Sequence, residues 1–123
     1  MSIILVVDDD KVLTQLMRTL LENAGYIVTE ANDGQTAWTH MQNPRCRAIL
    51  LDIQMPGING AELLMLMAAE GLDIPVLVVS AFPDFDQDEM KEFPNVKQLF
   101  HKPFYPEDLL TAVRTHALPR TAS

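Results

Sequence analysis

The chain has 123 residues, of which 17 are Asp or Glu and 9 are Lys or Arg, so its formal net charge is −8 at pH 7 with neutral histidines. This length and a hydrophobic content of 48% suit one domain with one buried core and exclude two full domains. The acidic surplus disfavours direct binding to nucleic acid or to anionic membranes. The single cysteine, Cys46, excludes an internal disulfide, and the lack of a basic leader or of ~18 consecutive apolar residues predicts a cytoplasmic protein.

The first half of the chain alternates apolar runs of strand length with segments of helical periodicity, a pattern typical of an α/β domain with a parallel sheet. A buried strand is predicted over Ile3–Val7, followed by a helix that begins at the N-cap Asp10. A second strand over Tyr26–Ala31 is poorer in apolar residues, which indicates a place near the sheet edge. The next helix opens at Asp33 and is closed by Pro44.

The second half of the chain repeats this alternation. Strands are predicted over Ala48–Leu51, Ile74–Val79 and Val96–His101. One helix is predicted from a cap at Asn59 to Glu70, a second within Asp84–Phe93 and a third from Pro106. We therefore predict one domain over residues 1–117 and a short tail over residues 118–123.

Polar side chains follow four of the five predicted strands, at the points where those strands end. They are Asp8, Asp9, Asp10, Asp52, Ser80 and Lys102. Each has an ordinary structural explanation when taken alone; Asp10, for example, is an expected helix cap. Ligands of open parallel sheets bind beyond the carboxyl ends of the strands, so the set as a whole favours a functional site at this edge.

The charges of these residues favour a bound cation. Two carboxylates about 5 Å apart repel each other by roughly 3 kcal/mol at an effective dielectric constant near 20. Lys102 offsets only part of the repulsion among three converging acids. A hard divalent ion with oxygen ligands would supply the positive charge that is still needed, and a site with few carboxylates suits Mg²⁺ better than Ca²⁺.

Four stretches carry a family resemblance when they are taken in order: Ile4–Asp10, Leu50–Gly60, Val78–Ala81 and Lys102–Phe104. With them the chain resembles a response-regulator receiver domain of two-component signal transduction. The resemblance implies a flavodoxin-like (βα)5 fold, with a doubly wound parallel sheet of five strands in the order 2-1-3-4-5 and five helices around it. It also implies a signalling protein that catalyses only its own phosphoryl transfer and dephosphorylation.

The same resemblance assigns the metal ligands. It implies that Mg²⁺ is held by Asp8, Asp9 and Asp52 together with the backbone carbonyl of Gln54. A carboxylate is a poor nucleophile toward an anionic phosphoryl group, so the ion is needed to neutralise both groups and to align them.

The resemblance further implies that Asp52 accepts a phosphoryl group from a histidine kinase or a histidine phosphotransfer protein. Ser80 and Lys102 are then expected to contact the phosphoryl oxygens. Phosphorylation in this family shifts the conformation around strands four and five, usually with an aromatic residue three positions before the lysine. Here that residue is Leu99, which has neither ring nor hydroxyl, so we do not expect the usual rotamer switch.

The partners expected beyond the phosphodonor are a downstream effector or a linked output domain, with no direct nucleic-acid or membrane contact; homodimerisation on phosphorylation is left open.

An alternative to the receiver function is an aspartyl phosphohydrolase of the haloacid-dehalogenase type, with Asp8 as nucleophile and Asp10 as acid/base. That family needs a further acidic pair after its lysine, whereas Lys102 is followed by Pro103 and Phe104. The receiver is therefore the favoured interpretation.

Overall fold

A single parallel sheet forms the centre of the computed structural model, which describes residues 2–53, 60–80, 92–102 and 104–116. Its strands are β1 (Ile3–Val7), β2 (Ile27–Ala31), β3 (Cys46–Asp52), β4 (Val76–Ser80) and β5 (Val96–His101). They lie in the order β2-β1-β3-β4-β5, and every neighbouring pair is parallel. The predicted fold class and strand order are confirmed.

Four helices lie within the described residues: α1 (Lys11–Asn23), α2 (Gly34–Met41), α3 (Gly60–Glu70) and α4 (Pro106–His116). Nearly all of the helix predicted within Asp84–Phe93, and the predicted cap Asn59, lie outside the described residues. In the part of the chain that is described, no helix is long and apolar enough to cross a membrane.

Three strands have bounds that differ from those predicted. β2 begins at Ile27, one residue after the predicted start, and β3 and β4 each end one residue later than predicted. β3 begins at Cys46, two residues before the predicted start, because Cys46 pairs with Ile3 across the sheet. The charged Arg47, half-buried in the strand, concealed this start from an argument based on apolar runs. β4 begins at Val76, after Pro75, which has no N–H for a sheet hydrogen bond and contributes only its carbonyl, 3.0 Å from the Ile49 nitrogen.

The core consists of two layers, one on each face of the sheet, because successive strand side chains point to opposite faces. On one face, strand residues pack with buried residues of α2 and α3; these are Leu5, Val7, Ile49, Leu51, Ala37, Met41, Leu63, Leu64 and Met67. On the other face, strand residues pack with α1 and α4; these are Ile4, Val6, Leu50, Leu77, Met17, Leu21, Leu109 and Val113. Helices therefore cover both faces of the sheet, and a ligand can approach it at the ends of its strands.

β2 is an edge strand, as predicted from its lower apolar content. Its first residue, Ile27, remains 39% exposed, while Val28 and Ala31 are buried. Its register with β1 places Ala31 opposite Val7, beside the start of the loop that carries the acidic residues.

Candidate functional site

The carboxyl ends of four strands bring the predicted site residues to one edge of the sheet. Asp8 directly follows β1, Asp52 ends β3, Ser80 ends β4 and Lys102 directly follows β5. Asp8, Asp52 and Ser80 are buried, whereas Asp9 is exposed. Carboxylate oxygens of Asp8, Asp9 and Asp52 all lie within 4.8 Å of one another. The three acids therefore form one cluster, as the sequence predicted.

Lys102 is the counter-charge of this cluster. Its Nζ lies 2.8 Å from Oδ2 of Asp8 and 3.4 Å from Oδ2 of Asp52. Burial on its own lowers the pKa of Lys102, but hydrogen bonds and charge interactions with Asp8 and Asp52 outweigh that effect and raise its pKa above the ordinary value. The backbone N–H of Lys102 also donates to the carbonyl of Ser80 at 2.8 Å, which ties the end of β5 to the end of β4.

Asp8 and Asp10 share a loop but have different local roles. Oδ1 of Asp8 accepts a hydrogen bond from the backbone N–H of Asp10 at 2.9 Å. The Asp10 carboxylate accepts from the backbone N–H groups of Val12 and Leu13, at 3.0 and 3.2 Å, and so caps α1. Asp10 therefore serves as a helix cap, and its geometry gives no support to the alternative in which it acts as an acid/base.

The start of α3 packs directly on the residue that ends β3. The N–H of Gly60 donates to the carbonyl of Ile53 at 2.9 Å. A Cβ added at Gly60 would lie 2.6 Å from the carbonyl oxygen of Asp52 and 2.6 Å from Cα of Ile53. Both are backbone atoms, so the helix can approach the Asp52 backbone this closely only with glycine at position 60. The sequence contains Gly60 but gives no sign of its close approach to the Asp52 backbone.

We predict that Gly60→Ala lowers the free energy of unfolding by about 1–3 kcal/mol, the usual cost of overpacking a closed site. Urea unfolding measures the loss. Gly71→Ala is the control, because Gly71 has φ +71° and open space around it, so that substitution strains the chain away from Asp52. Gly60→Ala should also slow the phosphorylation of Asp52 that the sequence resemblance implies, whereas Gly71→Ala should not. Equal phosphorylation rates in both variants would contradict the positional argument.

Leu99 and Phe100 point to opposite faces of the sheet, because successive side chains of a strand alternate. Leu99 is half-buried and packs on the core layer that includes α2 and α3. Phe100 is buried in the other layer, where its ring centroid lies 6.3 Å from that of Phe104 with the planes tilted by 59°. Phe100 therefore does not take the place of the usual aromatic residue. Gln54 and Pro103 lie outside the described residues.

One residue near the site was missed by the sequence argument. The side-chain amide of Asn32 donates to the backbone carbonyl of Asp8 at 2.8 Å. Asn32 directly follows β2 and precedes Asp33, the N-cap of α2, a position typical of a turn residue. Its partner lies 24 residues earlier in the chain, which no local pattern reveals.

The donor set fits a hard divalent cation. Three carboxylates and one ammonium group leave the cluster with a formal charge of 1 − 3 = −2. All three acids offer oxygen ligands, and two of them are buried at the edge of the sheet while the third is exposed. Oxygen donors with access to water are the environment that Mg²⁺ prefers.

Comparisons with known proteins agree on one family. The family model described as "Response regulator receiver domain" matches residues 4–114. Response regulator MprA of Mycobacterium sp. (strain KMS) is 34% identical over 111 residues, which cover 90% of this chain and 48% of that protein. MprA of Mycobacterium leprae is 33% identical, with coverages of 90% and 49%. The chain thus spans about half the length of the curated relatives it matches.

Solved structures show the same similarity. The receiver domain of the Francisella response regulator 1452 superposes with a TM-score of 0.84 at 28% identity, covering 95% of this chain and 97% of that one. Response regulator TrrA from Thermotoga maritima, solved in complex with Mg²⁺ and BeF, superposes with a TM-score of 0.82 at 25% identity, covering 94% and 98%. The similarity to these structures extends over nearly the whole chain.

Proposed function

The chain belongs to the response regulator receiver domain family, and from this membership we propose that Asp52 is its phosphoacceptor. Receiver domains are phosphorylation-dependent signalling modules, and the residues proposed to carry that chemistry in this chain lie at the carboxyl edge of the sheet. The observation that supports the proposal is the partly buried contact of Lys102 with both Asp8 and Asp52 at the carboxyl edge of the sheet. The phosphodonor, the metal ion and the conformational response below are parts of the same proposal.

In the proposed reaction, a carboxylate oxygen of Asp52 attacks the phosphorus of a phosphohistidine on a histidine kinase or phosphotransfer protein. The P–N bond breaks as the new O–P bond forms. The imidazole keeps the electron pair of the broken bond and takes up a proton from water. The product is an acyl phosphate on Asp52, and its later hydrolysis restores the carboxylate, so the domain catalyses only these two steps on itself.

Mg²⁺ held by Asp8, Asp9, Asp52 and the carbonyl of Gln54 would neutralise the negative charge of the nucleophile and of the phosphoryl group. Lys102 already lies 3.4 Å from Oδ2 of Asp52, close enough to contact a phosphoryl oxygen on that residue. Its ammonium group acts as a charged donor, while the Ser80 hydroxyl at the end of β4 supplies a neutral one. Asp8 holds Lys102 at this position.

The response to phosphorylation is proposed to spread through the ends of β4 and β5. The hydrogen bond from the Lys102 N–H to the Ser80 carbonyl joins these ends, so a shift of either residue displaces the other. Leu99 accompanies this shift without an aromatic rotamer change. We propose that a downstream effector or an output domain responds to this shift. An output domain is included because the matched relatives are about twice as long as the matched segment. A phosphorylation-dependent homodimer is the third proposed response.

Intact-mass spectrometry after incubation with acetyl phosphate and Mg²⁺ tests the assignment of Asp52. We expect one phosphoryl adduct on the native chain and none on Asp52→Asn. Asp33→Asn is the matched control, because Asp33 is an exposed helix cap and Asn caps a helix equally well. An adduct that survives in Asp52→Asn would assign the acceptor to another residue. Repeated turnover of p-nitrophenyl phosphate would favour the phosphohydrolase instead.

A further inference from the structure

The backbone of Asp8 is held on both sides by residues at the end of β2. Its N–H donates to the carbonyl of Ala31 at 3.1 Å. Its carbonyl accepts a hydrogen bond from the side-chain amide of Asn32 at 2.8 Å. These two bonds fix both peptide groups that flank Asp8, including the one that joins it to Asp9.

The Asn32 amide is itself held in place. Its nitrogen also lies 3.3 Å from the hydroxyl oxygen of Thr14, a buried residue in the first turn of α1. That hydroxyl donates to the carbonyl of Lys11 at 3.0 Å, so its lone pairs are turned toward Asn32. The two N–H groups of the amide thus have one acceptor each, Asp8 and Thr14, and the amide cannot rotate without losing one of them.

This network fixes the backbone from which the Asp8 and Asp9 side chains leave the chain. Asp9 is exposed, so burial does not hold its side chain, and the orientation of the Asp8–Asp9 peptide sets whether its carboxylate points back toward Asp8 and Asp52. Groups that orient the ligands of a metal ion typically change its affinity by about 10- to 100-fold when they are removed.

We propose that Asn32 is a positioning residue for the cation-binding acids, acting through the Asp8–Asp9 peptide and supported by Thr14. The inference rests on the proposed function, since it concerns the same magnesium site. It assigns a role in metal affinity to a residue that offers no ligand to the ion. Residues of three elements, the β1–α1 loop, the end of β2 and the first turns of α1, then set the geometry of the acids together.

Isothermal titration of the folded proteins with Mg²⁺ alone tests the proposal. Asn32→Asp has nearly the same shape but cannot donate to the Asp8 carbonyl, and its added negative charge attracts cations. A purely electrostatic effect would therefore tighten Mg²⁺ binding, whereas loss of positioning weakens it. We expect the Kd of Asn32→Asp to rise about 10-fold or more. An unchanged or lower Kd would overturn the proposal.

Further variants separate positioning from stability. Asn43→Asp is the matched control. The Asn43 side chain accepts a hydrogen bond from the Arg45 N–H in an exposed turn at the opposite end of the sheet, so the Asn43→Asp protein should bind Mg²⁺ with the native Kd. Thr14→Val should raise the Kd for Mg²⁺, whereas Thr14→Ser, which keeps the hydroxyl, should leave it at the native value. These two variants test the proposal if Asn32→Asp does not fold. A role in stability alone would lower the melting temperature without changing Kd, and would refute the inference.

The outcome for the native chain distinguishes the two proposals. If the native chain binds Mg²⁺ and Asn32→Asp binds it equally well, only the role of Asn32 is wrong. If the native chain does not bind Mg²⁺ at all, both the magnesium site and the positioning role are wrong. Tight native binding together with weakened binding in Asn32→Asp and Thr14→Val supports both.

Discussion

Replacing Lys102 with methionine is expected to lower the free energy of unfolding of the metal-free protein by about 3 kcal/mol at neutral pH. Asp8 is 1% exposed and Asp52 is 6% exposed, so both carboxylates would remain buried without their cation. Removal of one partner from a buried ion pair usually costs about 3–5 kcal/mol. The lower end applies here because the Lys102 side chain keeps 20% of its surface in solvent.

The pH dependence of this loss follows from the raised pKa of Lys102. A lysine whose pKa is higher in the folded state stabilises the fold fully at pH values below its unfolded pKa, which is near 10.5. That stabilisation is lost as the pH rises through the folded pKa. The difference in stability between the native chain and Lys102→Met should therefore be constant at neutral pH and shrink above pH 10.5.

Urea unfolding of both proteins over this pH range measures the difference. Lys97→Met is the matched control, because Lys97 is an exposed lysine of β5, the strand that Lys102 follows, and its Nζ contacts only the carbonyl of Pro94, at 3.0 Å, among the hydrogen bonds described. Its effect should stay within about 0.5 kcal/mol, as is usual for surface substitutions. A loss in Lys102→Met no larger than this would mean that Lys102 does not compensate the buried acids.

The sequence predicted much of the architecture because its signals are local. Continuous apolar runs such as Ile3–Val7 are typical of strands covered on both faces, and the polar residues that follow them mark the carboxyl edge of the sheet. Parallel strands bring those edges together, which is why Asp8, Asp52 and Lys102 were expected to converge. The strand order itself came from the family resemblance, since periodicity does not specify which strands are neighbours.

Contacts that depend on the approach of two distant elements were not predictable in the same way. The need for glycine at position 60 arises from the distance between α3 and the Asp52 backbone. The bond from Asn32 to the Asp8 carbonyl joins two loops that only the β1–β2 pairing brings together. Neither distance leaves a mark in the spacing of residue types, so residues that position the site are harder to find than residues that form it.

Magnesium is expected to stabilise the native chain at neutral pH. A ligand that binds only the folded state adds about 2.7 kcal/mol when its concentration is about 100 times its Kd. For a domain of this size that corresponds to a rise of roughly 10 °C in melting temperature. The physical source is the cluster of Asp8, Asp9 and Asp52, whose repulsion Lys102 only partly offsets.

Asp9→Asn should have opposite effects on the melting temperature in the absence and in the presence of magnesium. Without the ion, the variant should melt at or above the native temperature, because one of three mutually repelling carboxylates is gone. With the ion, it should gain far less than the native chain, because a charged ligand has been lost. Melting curves with and without MgCl₂ measure both effects, and Asp33→Asn, which removes a charge at an exposed helix cap, should respond as the native chain does. A magnesium shift in Asp9→Asn equal to the native shift would rule out Asp9 as a ligand, since the site would then hold the ion without it.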